Sequence, residues 1–245
     1  IYRQMSRIRA VDKAIQAGLS AGKFMFTYWP MTGQECIPAT ISQLVTERDY
    51  MITTYRGIHD QVAKGVDLYG MFAEALGRTD GVNKGKGGSP HISDPSSGSM
   101  VTTAIVGAGA PIANGLAIAA KERGEDRVTI VNFGDGATSI GAMHEAMNLA
   151  GSWQLPVIFM CQNNQWGEYT KIPTYTASPN FYGRAEALAF AEAMKLDLKT
   201  TLDVIYGTTA VNGQNKVNWP NKVLKGDTSP GFRIALAHKD ASLIT

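Results

Sequence analysis

Gly134-Asp135-Gly136 and Asn163-Asn164 are the residues best suited to chemistry, and they stand about 29 positions apart. Each motif directly follows a run of apolar, β-branched residues: Arg127–Phe133 (RVTIVNF) before the first, Val157–Cys161 (VIFMC) before the second. Ligands of an open parallel sheet bind beyond the carboxyl ends of its strands. If the two strands are neighbours, the Asp135 carboxylate and a carboxamide oxygen converge on one point. A few hard oxygen ligands suit Mg²⁺, which fills its remaining positions with phosphate oxygens and water. Gly134 and Gly136 let the backbone pass close to such a phosphate. The helix that follows offers its N-terminal N–H groups to the same anion. The pattern points to a magnesium-bridged diphosphate. Either motif alone is a common turn; the pair ending two strands of one βαβ unit is far more specific.

Competing motifs are weaker. Gly107-Ala108-Gly109 opens like a dinucleotide-binding GxGxxG, but its sixth position is Ile112. No GxxxxGK[ST] phosphate loop and no His/Cys cluster with zinc spacing occur. His144, in the helix after the GDG turn, reads as packed or capped. His59 and His91 lie in or near loops and are the better candidates for reactivity. Cys36 and Cys161 have no CxxC spacing and read as core thiols in a reducing compartment.

The elements that must position these residues follow from periodicity and punctuation. Met5, Ile8, Val11, Ile15 and Leu19 predict an amphipathic helix over residues 2–21. A second helix is expected from about Glu35 to Val45, a strand at Tyr50–Tyr55, and helical pieces at Ile58–Ala63 and Leu68–Leu76. Residues 77–100 (GRTDGVNKGKGGSPHISDPSSGSM) show no periodicity and many turn formers. They read as a long mobile loop, either bland surface or an anion-contacting loop with lysines and a histidine among its glycines. Helix at Ala110–Arg123, strand at Arg127–Phe133, helix at Ile140–Ala150 and strand at Val157–Cys161 complete a βαβ unit. Nearly continuous apolar strands imply a sheet covered on both faces.

Composition bounds the rest. The chain has 245 residues, 44% hydrophobic and 18% charged, with a formal net charge of +2. That excludes collagen, disorder and a disulfide scaffold. The small net charge argues against a dedicated nucleic-acid binder. The 26 glycines exceed the usual ~7% and crowd between Gly57 and Gly141. No apolar run approaches the ~20 residues of a membrane span. No signal peptide is visible, although a chain that begins at Ile1 is expected to lack its true terminus. The reading is a soluble, cytoplasmic protein.

Together with GDG and NN, four further segments carry a resemblance: TGQE at Thr32–Glu35, TYRGIHDQVAKG at Thr54–Gly65, GKGGSPH at Gly85–His91 and IVGAGAPIANG at Ile105–Gly115. Over residues 1–178 the chain resembles the alpha subunit of thiamine-diphosphate-dependent 2-oxo acid dehydrogenases, most of all the acetoin dehydrogenase-type E1 branch. The resemblance implies an α/β fold, a parallel sheet flanked by helices, with a thiamine-diphosphate-binding domain at 1–180 and a helical segment at 181–245. It implies that Tyr55 and Arg56 contact the diphosphate, and that Ala104 (glycine in many relatives) and Val106 line the cofactor. Asp135, Asn164 and the backbone carbonyl of Trp166 would hold Mg²⁺, while Gly136 and Ala137 offer backbone N–H groups. His59 and His91 would face the reacting carbon. There the thiazolium carbon attacks a carbonyl and the ring serves as electron sink. The implied partners are an E1 beta subunit in an α2β2 assembly, which supplies the glutamate activating the aminopyrimidine, and a dihydrolipoyl acyltransferase E2 component. The alpha chain alone would be inactive, on acetoin, pyruvate or another 2-oxo acid alike.

After Ser178 the pattern changes. Residues 185–240, with AEALAFAEAMKLDLKTTLDVIYG and KVLKGDTSPGFRIALAHKD, resemble the C-terminal domain of 3-hydroxyisobutyrate-type β-hydroxyacid dehydrogenases. Lys239-Asp240 matches that family's KD pair. Its Rossmann domain and catalytic lysine have no counterpart here, and Lys216 falls in the wrong place. Leu188, Ala191, Ala193 and Met194 give the tail a helical face of its own. The alternatives are therefore an NAD(P)-dependent β-hydroxyacid dehydrogenase, or an inactive subunit that keeps the assembly interface without catalysis.

Overall fold

The structure, a computed structural model, describes residues 1–176. The segment 181–245, its expected helices and Lys239-Asp240 lie outside the described residues.

In chain order the elements are α1 (Tyr2–Ser20), α2 (Cys36–Ile41), β1 (Tyr50–Thr54), α3 (Ile58–Lys64), α4 (Leu68–Ala75), β2 (Ser99–Thr103), α5 (Gly109–Glu122), β3 (Thr129–Gly134), α6 (Gly141–Ser152) and β4 (Val157–Gln162). A short hairpin, β5 (Trp166–Gly167) and β6 (Thr170–Lys171), and the single turn α7 (Ile172–Tyr175) follow. Strands β1 to β4 form one parallel sheet in the order β2-β1-β3-β4. The expected neighbours β3 and β4 pair directly, with Gly134 opposite Gln162.

The central β3 is buried along all but its last residue, as a strand covered on both faces must be. Helix α5 presents Ala110, Ala113, Ala117 and Ala120, all buried, at the three- and four-residue spacing of one helical face. Small side chains bring the helix axis close to the sheet. Gly109 brings it closest: a Cβ there would lie 3.1 Å from both Ile52 Cγ2 and Val131 Cγ2. Asn114 Nδ2 donates to the Ala146 carbonyl at 2.8 Å and ties α5 to α6. A second core joins α1, α3 and α4 through Ile8, Ile15, Val62 and Met71.

Three expectations need correction. The second helix is short, because α2 ends at Ile41 and the chain closes in turns before Asp49. Strand β2 falls at the end of the stretch read as loop. Its sequence, SMVTT, has no apolar alternation, and its extended shape comes from pairing with β1. Cys36 is exposed rather than in the core.

The glycine-rich loop, expected to be mobile, is a further correction. It does wrap an anion, but the anion belongs to the chain. Glu74 on α4 is fully buried. Its carboxylate accepts the backbone N–H groups of Asn83 (2.7 Å), Gly85 (2.8 Å), Gly87 (2.6 Å) and Gly88 (3.2 Å). Burial pushes this carboxyl up, yet the four amides outweigh it and hold its pKa below the ordinary value. The glycines permit the close approach: a Cβ at Gly81 would lie 2.6 Å from the Glu74 backbone, and one at Gly87 would lie 2.4 Å from the His91 carbonyl. Asn83 Oδ1 also accepts the Ser93 amide at 2.8 Å. The loop is pinned, and Lys84 and Lys86 stand exposed on its outer side.

Candidate functional site

Strand β3 delivers Asp135 to the carboxyl end of the sheet, where residues Asp135–Ser139 make a short 3-10 turn before α6. The helix expected at Ile140–Ala150 is α6, which begins at Gly141, so the amides next to Asp135 are those of the turn, Gly136 and Ala137. Gly134 has ordinary extended backbone, and nothing stands within 4 Å of a Cβ there. Its glycine is not required by its conformation.

Asp135 is fully buried. Its Oδ2 accepts a hydrogen bond from the Tyr175 hydroxyl. Its Oδ1 is buried with no hydrogen-bond partner among the described residues. An unmatched buried carboxylate oxygen is costly and suits a cation. Beside it, β4 ends at Gln162 and the chain turns through Asn163 and Asn164. Their side chains cap the turn, Asn163 Oδ1 accepting the Gln165 amide at 2.9 Å and Asn164 Oδ1 the Trp166 amide at 3.0 Å. The β5–β6 hairpin then folds against the GDG turn: a Cβ at Gly136 would lie 3.4 Å from Gly167 Cα. Among the described residues no three His, Cys, Asp or Glu side chains gather around one metal position. A cation here would rely on one carboxylate, amide and carbonyl oxygens, and the oxygens of phosphate or water, which is the Mg²⁺ pattern. The donor set fits.

The other predicted residues lie at the same end of the sheet. Tyr55 follows β1, its amide donating to the Thr103 carbonyl at 3.1 Å and its ring packed 4.5 Å from Trp29. Arg56, half-buried, donates from one guanidinium nitrogen to the Pro30 carbonyl at 3.0 Å, a single use of a five-donor fork. Ala104 and Val106 follow β2 and are exposed. Ala137 is buried and Gly136 half-buried in the GDG turn, while Trp166 is 46% exposed. All four strands therefore contribute residues beyond their carboxyl ends.

The histidines separate. His91 is exposed, with Nδ1 3.2 Å from the Thr102 carbonyl. His59 is on α3 rather than in a loop and is 1% exposed. Its Nδ1 is 3.1 Å from the Arg56 carbonyl and its Nε2 is 2.7 Å from Gln162 Oε1. His144 Nε2 lies 2.8 Å from the Thr138 carbonyl, the capping contact expected of it. Burial, and then the Asp135 charge, push the Cys161 thiol up to about 12, which disfavours the thiolate form. Sequence reading missed Gln162, Asp60, Asn132 and Tyr175. The signal available for Gln162 was one polar residue closing an apolar strand.

Residues 3–194 match the family model described as dehydrogenase E1 component. Residues 174–245 match that of the NAD-binding domain of NADP-dependent 3-hydroxyisobutyrate dehydrogenase. The alpha subunit of acetoin:2,6-dichlorophenolindophenol oxidoreductase from Cupriavidus necator is 38% identical over 185 residues, 76% of this chain and 56% of that protein. Its counterpart from Bacillus subtilis is 36% identical over 187 residues, with the same shares. The mitochondrial pyruvate dehydrogenase E1 component subunit alpha of Solanum tuberosum is 38% identical over 189 residues, 76% of this chain and 47% of that protein. The chain thus spans about half the length of the curated relatives it matches. The solved structure of a candidate thiamin diphosphate-dependent enzyme from Mycobacterium smegmatis aligns with a TM-score of 0.42 at 15% identity, covering 71% of this chain and 29% of that one.

Proposed function

The chain belongs to the dehydrogenase E1 component family, and on that premise we propose that it forms the alpha-side half of a thiamine-diphosphate and Mg²⁺ site acting on acetoin or a 2-oxo acid such as pyruvate. The observation that carries this reading is the buried, unpartnered Oδ1 of Asp135, at the end of the strand next to the one that delivers Asn164. The proposed metal ligands are Asp135, Asn164 and the Trp166 carbonyl. Tyr55 and Arg56 bind the diphosphate, for which the free donors of a guanidinium fork are suited. The Gly136 and Ala137 amides support the same anion, Ala104 and Val106 line the cofactor, and the exposed His91 faces the reacting carbon. Bound thiamine diphosphate would supply a nucleophilic ring carbon and an electron sink. The chain's own part is to bind, orient and neutralise the diphosphate.

The proposed partners are a beta-type subunit in an α2β2 assembly, completing the cofactor site, and a dihydrolipoyl acyltransferase. The proposed compartment is the cytoplasm. Among the described residues no helix is long and apolar enough to cross a membrane.

Calorimetry of the full chain with thiamine diphosphate, with and without Mg²⁺ and a co-expressed beta-type subunit, tests the reading. Binding is expected only when both are present. Asp135→Ala is expected to weaken it about 10- to 100-fold, the scale seen when the support of a metal is lost. Unchanged affinity in that variant would remove the magnesium role.

One observation favours a second reading. The match of residues 174–245 to an NAD-binding domain suggests a nicotinamide site. That reading requires the full chain to quench NADPH fluorescence saturably, and it ends if titration shows no saturation. An assembly-only role ends if co-expression with a beta-type subunit yields turnover.

A further inference from the structure

Gln162 closes β4, one residue before the Asn163-Asn164 turn, and its side chain points away from that turn into the core. Its amide is fully used. Oε1 accepts from His59 Nε2 at 2.7 Å. Nε2 donates to Asp60 Oδ1 at 2.8 Å and to Asn132 Oδ1 at 3.2 Å. Asp60 Oδ2 in turn accepts the Thr53 hydroxyl at 2.5 Å. His59 Nδ1 faces the Arg56 carbonyl at 3.1 Å. The five side chains come from β1, α3, β3 and β4, and none is more than 7% exposed. The main chain of the same residue works on the other side: the Asn164 amide donates to the Gln162 carbonyl at 3.1 Å.

One residue therefore holds both halves of the site. Through His59 it reaches the backbone of Arg56, and through its own carbonyl it fixes Asn164. We propose that Gln162 is a positioning residue, which couples the Tyr55–Arg56 turn to the Asn163–Asn164 turn so that anion-binding and cation-binding groups keep one fixed separation. This rests on reading those turns as parts of one cofactor site. It also gives His59 a place: the imidazole transmits position from the core.

The chemistry demands an amide at position 162. Two of its neighbours, Asp60 Oδ1 and Asn132 Oδ1, are acceptors, and the third is a ring N–H. A carboxylate would satisfy His59 but would set acceptor against acceptor at both Asp60 and Asn132. Gln162→Glu therefore breaks the link with little change in size. The double variant Gln162→Glu with Asp60→Asn moves the carboxylate and the amide to each other's positions and restores a donor between them. The Asn132 amide, whose Nδ2 meets the Ile52 carbonyl only at 3.4 Å, can turn over to donate to the carboxylate at position 162 as well.

Amide hydrogen exchange on the full chain without ligand reads the coupling directly. Gln162→Glu is expected to speed exchange at residues 55–57 and 163–165 together, by about tenfold, the scale of coupling between buried partners. The double variant is expected to return both segments toward the parent. Gln162→Met, uncharged and similar in volume, is expected to loosen the same two segments and replaces the glutamate variant if that one does not fold. With the beta-type subunit present, each single variant is expected to bind thiamine diphosphate with Mg²⁺ about tenfold more weakly, and the double variant to recover. Unchanged exchange at 55–57, or loosening that the double variant fails to reverse, overturns the coupling. Failure of the parent chain to bind the cofactor would overturn the functional reading instead, and the exchange result would still decide whether Gln162 links the turns.

Discussion

Two buried carboxylates show how opposite environments assign opposite work. Glu74 has every need met by backbone amides, while Asp135 has one oxygen left over. Glu74→Gln loses the charge and turns an NH₂ toward amide donors. It is expected to destabilise the chain by about 2–4 kcal/mol, since bonds to a charged acceptor are the strong ones. Because the native pKa of Glu74 is depressed, its contribution is fully present above the ordinary value of 4.5 and is lost as pH falls through the native value. Denaturant titrations from pH 7 down to about pH 3 are therefore expected to show a shallower acid loss in the glutamine variant than in the parent. Asp135→Asn should act the other way. Removing an unmatched buried charge is expected to raise the stability of the ligand-free chain by about 1–3 kcal/mol while weakening Mg²⁺-dependent cofactor binding, by no more than the roughly 10- to 100-fold expected of alanine there. A stability loss in that variant would show that Oδ1 is not the liability described.

At the scale of elements, α5 is the clearest case of sequence dictating packing. Its alanine face and Gly109 set how near it lies to β1 and β3. Gly109→Ala would press a methyl group to within 3.1 Å of Ile52 and Val131 and is expected to cost about 1–3 kcal/mol. Gly115, on the same helix, is exposed, and a Cβ there meets nothing within 4 Å. Gly115→Ala is expected to stabilise by about 0.5–1 kcal/mol, because it only lowers the entropy of the unfolded chain. Thermal melts of the two variants should move in opposite directions. The βαβ unit from β3 to β4 was legible because its strands are continuous apolar runs and its helix has its own period. Strand β2 was not, because a stretch of serine and threonine becomes a strand only beside β1.

At the scale of the whole molecule, the site is spread along one end of a sheet whose strands come from distant parts of the chain. His59 and Gln162 are 103 residues apart in sequence and 2.7 Å apart in space. The outer strand β4 leaves Ile158 45% exposed, so this sheet has an uncovered flank among the described residues. The sequence alone determined that a carboxylate and an asparagine pair each end a strand of one βαβ unit, since strand, turn and helix signals are local. That those two strands are direct neighbours came from the sheet itself, in which the equally consecutive β2 and β3 are parted by β1. It also marked Tyr55, Arg56, His59 and His91 as residues worth placing. Only the tertiary structure decided which oxygen of Asp135 is left unmatched, which anion the glycine loop encloses, and which histidine reaches the surface. Those outcomes depend on what a side chain meets across the core, and donors and acceptors brought together over a hundred residues leave no periodic trace in the chain that carries them.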